Sequence, residues 1–187
     1  MEHNKTYCNY IQQAGISHLH THYHNSEYGF PLEADNELFG RLILEINQAG
    51  LSWLTILKKK QHFIEAYDHF DIYTVSQYNE SDIERLLQNS GIIRNQLKIK
   101  AAIYNAQRIR EIQNEWGSFK SWLDIHHLKT RKEWTLLFKQ NFRFTGGEIV
   151  NEFLMSTGYL PGAHHQGCPM YDIILQYQPA WTKKSLP

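Results

Sequence analysis

The sequence lacks several features that would place a protein outside the cytoplasm. Only two of its 187 residues are cysteine, too few for a disulfide-rich secreted domain. No apolar run approaches the roughly 18 residues that a membrane-spanning helix needs, and residues 1–5 are followed by no apolar signal core. We therefore expect a cytoplasmic protein with no membrane partner.

Net charge is absent as well. Nineteen basic and nineteen acidic residues cancel, so no overall positive field is available to attract nucleic acid. Any contact with DNA would depend on local basic patches and backbone N–H groups. The 42% hydrophobic content is enough for one good core, and we expect a single domain over residues 1–187.

Sustained alternation of apolar and polar residues, which is typical of strands, is missing too. The patterns that are present are helical. Apolar spacing predicts a helix that starts after Asp35 or Asn36, and an S-x-x-E capping-box pattern at 81–84 opens a helical hairpin over about 81–112. The predicted fold class is all-α.

Residues 45–53 are predicted to form a pocket at a break between two helices. Glu45 falls on the apolar side of the first helix, where an unpaired carboxylate is costly. Gly50 suits the left-handed position that ends a helix, and Ser52 can cap a second helix that carries Trp53. Glu45 and Trp53 would then face one pocket. The alternative is a solvated helix-end glutamate beside a core tryptophan.

An irregular N-terminal arm over 1–31 and a C-terminal tail over 159–187 each hold one cysteine and one histidine that suit a metal site. These residues are Cys8, His24, His164 and Cys168. Two thiols and two imidazoles complete a tetrahedral zinc site, which would join the arm to the tail. The alternatives are a disulfide and two unrelated buried thiols, and His20, His22 or His165 could replace a ligand.

The predicted hairpin has features of a DNA-backbone contact. Gly91 and the amides after it could present unpaired N–H groups at a helix N-terminus, where the helix dipole favours a phosphate. Arg94 and Lys98 lie on or near that helix, and backbone contacts of this kind need no base edges. The alternative is an ordinary helical hairpin with a solvated basic face.

Four segments of the chain stand in a characteristic order. They are YHNSEYG at 23–29, QAGLSW at 48–53, GIIR at 91–94, and FRF at 142–144, followed by His164 and Cys168. In order and rough spacing they resemble the bacterial type I 3-methyladenine DNA glycosylases, over nearly the whole chain. The resemblance implies a helix-hairpin-helix fold, one structural zinc ion, and hydrolytic removal of 3-methyladenine from double-stranded DNA that contains alkylated bases. We expect a monomer.

The resemblance also implies roles for individual residues. The base-recognition carboxylate falls on Glu45, and pocket aromatics fall on Tyr23 and Trp53. Gly50 and Leu51 resemble the family's element that fills the gap left in the duplex. The implied zinc ligands are Cys8, His24, His164 and Cys168.

The chemistry of N3-alkylated adenine suits these residues. Alkylation makes the base cationic, so the glycosidic bond is weakened and the base leaves as a neutral molecule without strong acid catalysis. The enzyme must extrude the nucleotide and hold its base. The aromatic face of Trp53 attracts a cationic ring, the carboxylate of Glu45 accepts hydrogen bonds from it, and Tyr23 supplies a ring and a hydroxyl. No lysine is a strong candidate for a nucleophile.

Several positions depart from the family's pattern. Tyr10 and Tyr28 stand where tryptophan is usual, and His20 stands where tyrosine is usual, so three expected substrate contacts are altered. Ile46 replaces a small residue, and Glu148 adds a second carboxylate near the expected active face. These changes leave an alternative function open, which is a degenerate zinc-stapled module of the same fold that binds DNA or a partner without excising bases.

Overall fold

The structure, a computed structural model, describes residues 6–183, so the expectation about residues 1–5 lies outside it. The described residues form eleven α-helices and two 3₁₀ turns, with no strand among them. The prediction of an all-α fold is confirmed. Within the same range, no helix is long and apolar enough to cross a membrane. The helices are α1 (Tyr7–Tyr10), α2 (His18–Ser26), α3 (Asp35–Gln48), α4 (Trp53–Ala66), α5 (Ile72–Ser76), α6 (Glu80–Gln88), α7 (Gln96–Trp116), α8 (Phe119–Ile125), α9 (Arg131–Asn141), α10 (Gly147–Ser156) and α11 (Pro169–Gln176), and the 3₁₀ turns are Asp68–Phe70 and Ala180–Thr182.

Helix α3 is the central helix of the fold. Residues 38–47 are all buried because α4, α7, α8 and α10 pack around them. At its start, the carboxylate of Asp35 accepts hydrogen bonds from the amides of Phe119 and Lys120 at 2.8 and 2.9 Å, which joins α3 to the N-terminus of α8. A side chain in the middle of α3 is therefore shielded from bulk water.

The predicted break between α3 and α4 is confirmed. Gly50 has a φ of +83°, a conformation that glycine adopts without strain. The hydroxyl of Ser52 then accepts a hydrogen bond from the Thr55 amide at 3.3 Å and caps α4. Helix α3 begins at Asp35 rather than after it, because Ala34 occupies the N-cap position.

The predicted hairpin is formed by α6 and α7, with different boundaries. Helix α6 begins at Glu80 because its capping box uses Asn79 and Asp82 instead of the predicted Ser81 and Glu84. Helix α7 continues past the predicted end of the hairpin. The two helices pack against each other, so the supersecondary structure follows the prediction although its first cap does not.

The N-terminal arm, expected to be irregular, contains two helices. Helix α2 consists mainly of histidine and small polar residues, and its N-cap is Ser17. Helix α1 has four residues. Neither has the apolar period that marks a helix packed on one face, which is why the sequence pattern did not indicate them.

Candidate active site and the buried cysteine-histidine cluster

A cavity of about 730 Å³ opens beside the break between α3 and α4. Tyr23, Glu45 and Trp53, the three residues predicted to form the pocket, all line it, together with Tyr10 and Tyr28. The other lining residues are Thr6, Tyr7, Gln13, Gln48, Glu148, Glu152, Met155 and Gly162. The fold thus brings residues from both ends of the chain around one space.

Glu45 lies on the cavity side of α3 and is only 4% exposed. The interpretation of Glu45 as a solvated helix-end residue is therefore wrong. Burial raises the pKa of its carboxyl to about 8, although the positive charge of Arg41 opposes this shift, and the negative charge of Glu152 adds to it. A ligand that brings positive charge into the cavity would favour the ionised form of Glu45.

Two aromatic rings stand beside Glu45. Tyr23 from α2 and Trp53 from α4 have ring centroids 5.0 Å apart and planes tilted by 59°. Tyr23 is buried, and Arg41 Nη1 donates a hydrogen bond to its hydroxyl at 3.0 Å. Within residues 6–183, the buried Nε1–H of Trp53 has no hydrogen-bond partner.

Arg41 is a buried cation next to the cavity. Besides Tyr23, its guanidinium contacts the carboxylate of Glu27 at 3.3 Å. Lys60 Nζ contacts both oxygens of that same carboxylate at 2.6 Å. Two cations therefore share one carboxylate, and this group of side chains carries a net positive charge close to Glu45. The sequence analysis placed none of these three charged residues at the pocket.

Tyr28 and Glu152 form a second polar wall of the cavity. The hydroxyl of Tyr28 donates to Glu152 Oε2 at 3.2 Å, and burial raises the pKa of Glu152. Glu148 lies one turn earlier on α10, where it is exposed and contacts Arg131 at 2.5 Å. The inner carboxylate is therefore Glu152, which the sequence analysis missed although its spacing of four residues from Glu148 puts both on one helix face.

Helix α1 supplies the mouth of the cavity. Tyr7 and Tyr10 both line it, and Tyr7 was not anticipated although it is the neighbour of Cys8. His20 is buried but does not line the cavity. Its Nδ1 lies 2.8 Å from the hydroxyl of Tyr7, and its ring centroid lies 5.1 Å from that of Tyr10. His20 thus supports the two tyrosines, which differs from the direct substrate contact expected of it.

The turn between α3 and α4 is held by Lys98. Gly50 and Leu51 lie in this turn, outside the cavity lining, and Leu51 is 38% exposed. Lys98 is 5% exposed, and its Nζ donates to the carbonyls of Asn47 and Ala49 at 3.0 and 2.8 Å. The ammonium group of Lys98 therefore stabilises the C-terminal end of α3. The sequence analysis had instead predicted that it contacts a DNA phosphate.

The turn of the hairpin differs in part from the predicted phosphate site. Arg94 is exposed, as a DNA contact requires. The amide of Gly91 is not unpaired, because it donates to Asn89 Oδ1 at 2.8 Å. The carbonyl of Gly91 accepts a hydrogen bond from Lys59 Nζ at 3.1 Å, so the turn is tied to α4.

The four residues predicted as metal ligands converge in space. One donor atom from each lies within 4.8 Å of the others, and all four side chains are buried. They join the N-terminal arm to the C-terminal tail, as predicted. Both thiols are free, so the alternative of a disulfide is wrong. The four residues, called the cysteine-histidine cluster below, are Cys8, His24, His164 and Cys168.

Hydrogen bonds orient both histidines toward the sulfur atoms. His24 Nδ1 is 2.7 Å from Asn25 Oδ1, and its Nε2 faces the sulfur of Cys168 at 3.6 Å. His164 Nε2 donates to the Tyr28 carbonyl at 2.7 Å, and its Nδ1 lies within 3.6 Å of both sulfur atoms. Burial lowers the pKa of both imidazoles, to about 4 for His164. Neutral rings with the outer nitrogen hydrogen-bonded are the usual form of metal-binding histidine, so the donor set fits a metal ion.

Comparison with known proteins agrees with this geometry. Residues 13–136 match the family model described as methyladenine glycosylase. The chain belongs to this family. A methyladenine glycosylase of Escherichia coli, DNA-3-methyladenine glycosylase 1, is 32% identical over 183 residues, which cover 88% of this chain and 96% of the relative. The DNA-3-methyladenine glycosylase of Haemophilus influenzae is 30% identical over 174 residues, which cover 83% and 94%.

Solved structures of methyladenine glycosylases share the fold. The 3-methyladenine DNA glycosylase I of Staphylococcus aureus has a TM-score of 0.76 at 31% identity, covering 82% of this chain and 91% of that one. A variant of 3-methyladenine DNA glycosylase I, crystallised with 3-methyladenine, has a TM-score of 0.78 at 30% identity, covering 87% and 95%. The family resemblance stated from the sequence is confirmed, and with it the prediction of a glycosylase enzyme.

Proposed function

We propose that this protein is a monofunctional DNA glycosylase that hydrolyses the N-glycosidic bond of 3-methyladenine in double-stranded DNA. The observation that carries the proposal is a buried carboxylate, Glu45, facing a cavity with aromatic walls. A neutral purine would be bound only weakly by this arrangement. A cationic purine would be attracted both by the faces of the rings and by the carboxylate.

Glu45 has the properties of a base-recognition residue. Because burial raises its pKa to about 8, much of it is protonated at neutral pH. Entry of a cationic base favours loss of that proton, and the carboxylate then accepts a hydrogen bond from the 6-amino group of the base. Recognition thus depends on the charge that separates the alkylated base from ordinary adenine.

The aromatic side chains hold the base in place. The rings of Tyr23 and Trp53 lie close together in the cavity lining, with centroids 5.0 Å apart. Tyr10 and Tyr28 contribute further aromatic surface to the same lining. Stacking on these rings holds the base while its bond to the sugar breaks.

The turn between α3 and α4 would contact the DNA. In our proposal, Gly50 and the exposed Leu51 fill the space that the extruded nucleotide leaves in the duplex, and Arg94 contacts the backbone. Lys98 keeps the turn in shape through its bonds to Asn47 and Ala49. The protein is proposed to act as a monomer.

Water completes the reaction by attacking C1′ of the oxocarbenium-like sugar. The base departs as a neutral molecule, so no strong acid is required. Among the described residues that line the cavity there is no lysine. This agrees with a monofunctional enzyme, because strand cleavage would need an amine that adds to the sugar.

The cysteine-histidine cluster is proposed to bind one structural zinc ion. Bound zinc would supply a tetrahedral cross-link without an open coordination position, and it would take no part in catalysis. The cluster residues fasten α1 and α2 to the C-terminal tail. The rings of the cavity mouth depend on this connection, because Tyr7 and Tyr10 are on α1.

The alternative of a vestigial DNA-binding or partner-binding module is not favoured. Family membership and the retained cavity both support an enzyme. The deciding experiment incubates the purified protein with N-methylated DNA and measures free 3-methyladenine. We expect release of this base. Salt-dependent DNA binding without any released base would instead support the module.

A further inference from the structure

The inner carboxylate Glu152 has no part in the function proposed so far. It lines the cavity on α10, one turn deeper than the exposed Glu148. Its Oε2 accepts a hydrogen bond from Tyr28, whose backbone carbonyl in turn accepts a hydrogen bond from His164 of the cysteine-histidine cluster. Glu152 is thus held in a defined position while its remaining acceptor capacity is available to the cavity.

The charges around the cavity leave room for one cation. Glu148 also lines the cavity, but its charge is cancelled by its partner Arg131. The other carboxylates are Glu45, Glu152 and Glu27, and the cations that contact Glu27 are Arg41 and Lys60. With all of them ionised, this group has one negative charge in excess. A single cationic base restores neutrality, so Glu45 and Glu152 can be ionised together when such a base is bound.

Two carboxylates accept more hydrogen bonds than an alkylated adenine donates. Adenine alkylated at N3 presents only its 6-amino group. If Glu45 takes this group, an alkylated adenine offers no further donor to Glu152, which still accepts the bond from Tyr28. Guanine alkylated at N7 is also cationic, and it presents N1–H and the 2-amino group side by side. A carboxylate can accept both of these donors at once.

We propose that Glu152 is a specificity-determining residue that lets the cavity accept cationic N7-alkylated guanine. Its carboxylate takes the N1–H and 2-amino donors of that base, while Glu45 and the aromatic walls hold the positive ring. The inference rests on the proposed glycosylase function and adds a second substrate class to the same site. A site built to bond such donors discriminates against a base that lacks them.

One DNA preparation tests the proposal. Duplex DNA treated with a simple methylating agent carries both 7-methylguanine and 3-methyladenine, so both free bases can be measured in one reaction. The variant is Glu152→Gln, which keeps the shape and an acceptor for Tyr28 but replaces one carboxylate oxygen with an N–H donor. The matched control is Glu115→Gln, the same change at an exposed position on α7.

We expect the unmodified protein to release both bases. The ratio of released 7-methylguanine to 3-methyladenine should fall at least about tenfold in Glu152→Gln and stay unchanged in Glu115→Gln. Quenching of tryptophan fluorescence by the cationic nucleoside 7-methylguanosine should weaken in the same variant. A merely structural role for Glu152 would lower both activities together and leave the ratio constant.

Each other outcome has one meaning. Release of 3-methyladenine without 7-methylguanine by the unmodified protein overturns the second substrate class and leaves the proposed function standing. Release of both bases with an unchanged ratio in Glu152→Gln overturns the role of Glu152. Release of neither base overturns the proposed function itself.

Discussion

The carboxyl group of Glu45 is shielded by α3 and its neighbours, yet it lines a cavity open to a ligand. Burial opposes its ionisation, whereas Arg41 favours it. The balance makes Glu45 responsive to the charge of whatever enters. This is the physical basis on which one residue can separate a cationic purine from a neutral one.

Replacement of Glu45 by glutamine should reduce base release without lowering the stability of the fold. Glutamine keeps the shape of the glutamate side chain but carries no negative charge to pair with the cationic base. Release of 3-methyladenine should therefore fall about 10- to 100-fold. The measurement is single-turnover release of free base from N-methylated duplex DNA. Equal losses of activity and of the unfolding midpoint would count against a role in recognition.

The same variant should change how stability depends on pH. The pKa of Glu45 is raised from its ordinary value of 4.5 to about 8 in the folded protein, so the unfolded chain ionises first as pH rises. Glu45 therefore destabilises the fold progressively between about pH 4.5 and 8. The free energy of unfolding of Glu45→Gln, minus that of the unmodified protein, should therefore increase as pH rises across this window. Urea titrations at several pH values measure this difference. A constant difference would refute the raised pKa.

Single residues of the site differ in how far the sequence revealed them. Glu45 and Trp53 could be placed in one pocket because they lie on either side of a helix break with clear capping residues. Glu152, Tyr7 and Arg41 could not, because each reaches the site through tertiary packing of α10, α1 and α3. The spacing that put Glu45 on the buried face of α3 also applies to Arg41, four residues earlier, but its partner Glu27 on the distant chain segment after α2 could not be foreseen.

At the scale of secondary structure, the turn between α3 and α4 depends on a buried lysine. Lys98→Met should lower the free energy of unfolding by about 1–3 kcal/mol, because the carbonyls of Asn47 and Ala49 lose their charged donor. Urea denaturation measures the loss. Hydrogen exchange of the Gly50 and Leu51 amides should also accelerate.

The matched control for this prediction is Lys100→Met. Lys100 lies on the same helix and is exposed, so its replacement should leave both measurements nearly unchanged. If the two variants behave alike, the bonds from Lys98 to the end of α3 do not stabilise the turn.

Helices were predictable where they pack on one apolar face. The break at Gly50 and Ser52 and the paired helices α6 and α7 follow from local spacing and caps. Helix α2 was not predicted because its buried residues are His20, Tyr23 and His24, which form no apolar face. They are held by hydrogen bonds and by the cysteine-histidine cluster. The sequence offers two overlapping capping patterns for α6. The prediction used Ser81 as the N-cap, whereas the structure uses Asn79.

At the scale of the whole molecule, the cysteine-histidine cluster joins the two ends of the described chain. Purified protein should contain one zinc ion per chain by elemental analysis. The Cys168→Ser variant should lose the metal and unfold at a lower temperature, because four protein ligands hold the structural site together. Chelation should lower the melting temperature of the unmodified protein in the same way.

His165→Ala is the control for metal binding. His165 adjoins the cluster in sequence but is not one of its four members. This variant should keep the full zinc content. Loss of metal from His165→Ala, or full metal content in Cys168→Ser, would show that the ligand set has been assigned wrongly.

Cys8 lies between the two tyrosines of α1, and it is only 1% exposed. A thiolate is a strong nucleophile, and the electrophiles that damage DNA bases attack thiols as well. Burial limits the access of such electrophiles to the Cys8 sulfur. A protein that works where such electrophiles are present thus keeps this thiol out of their reach.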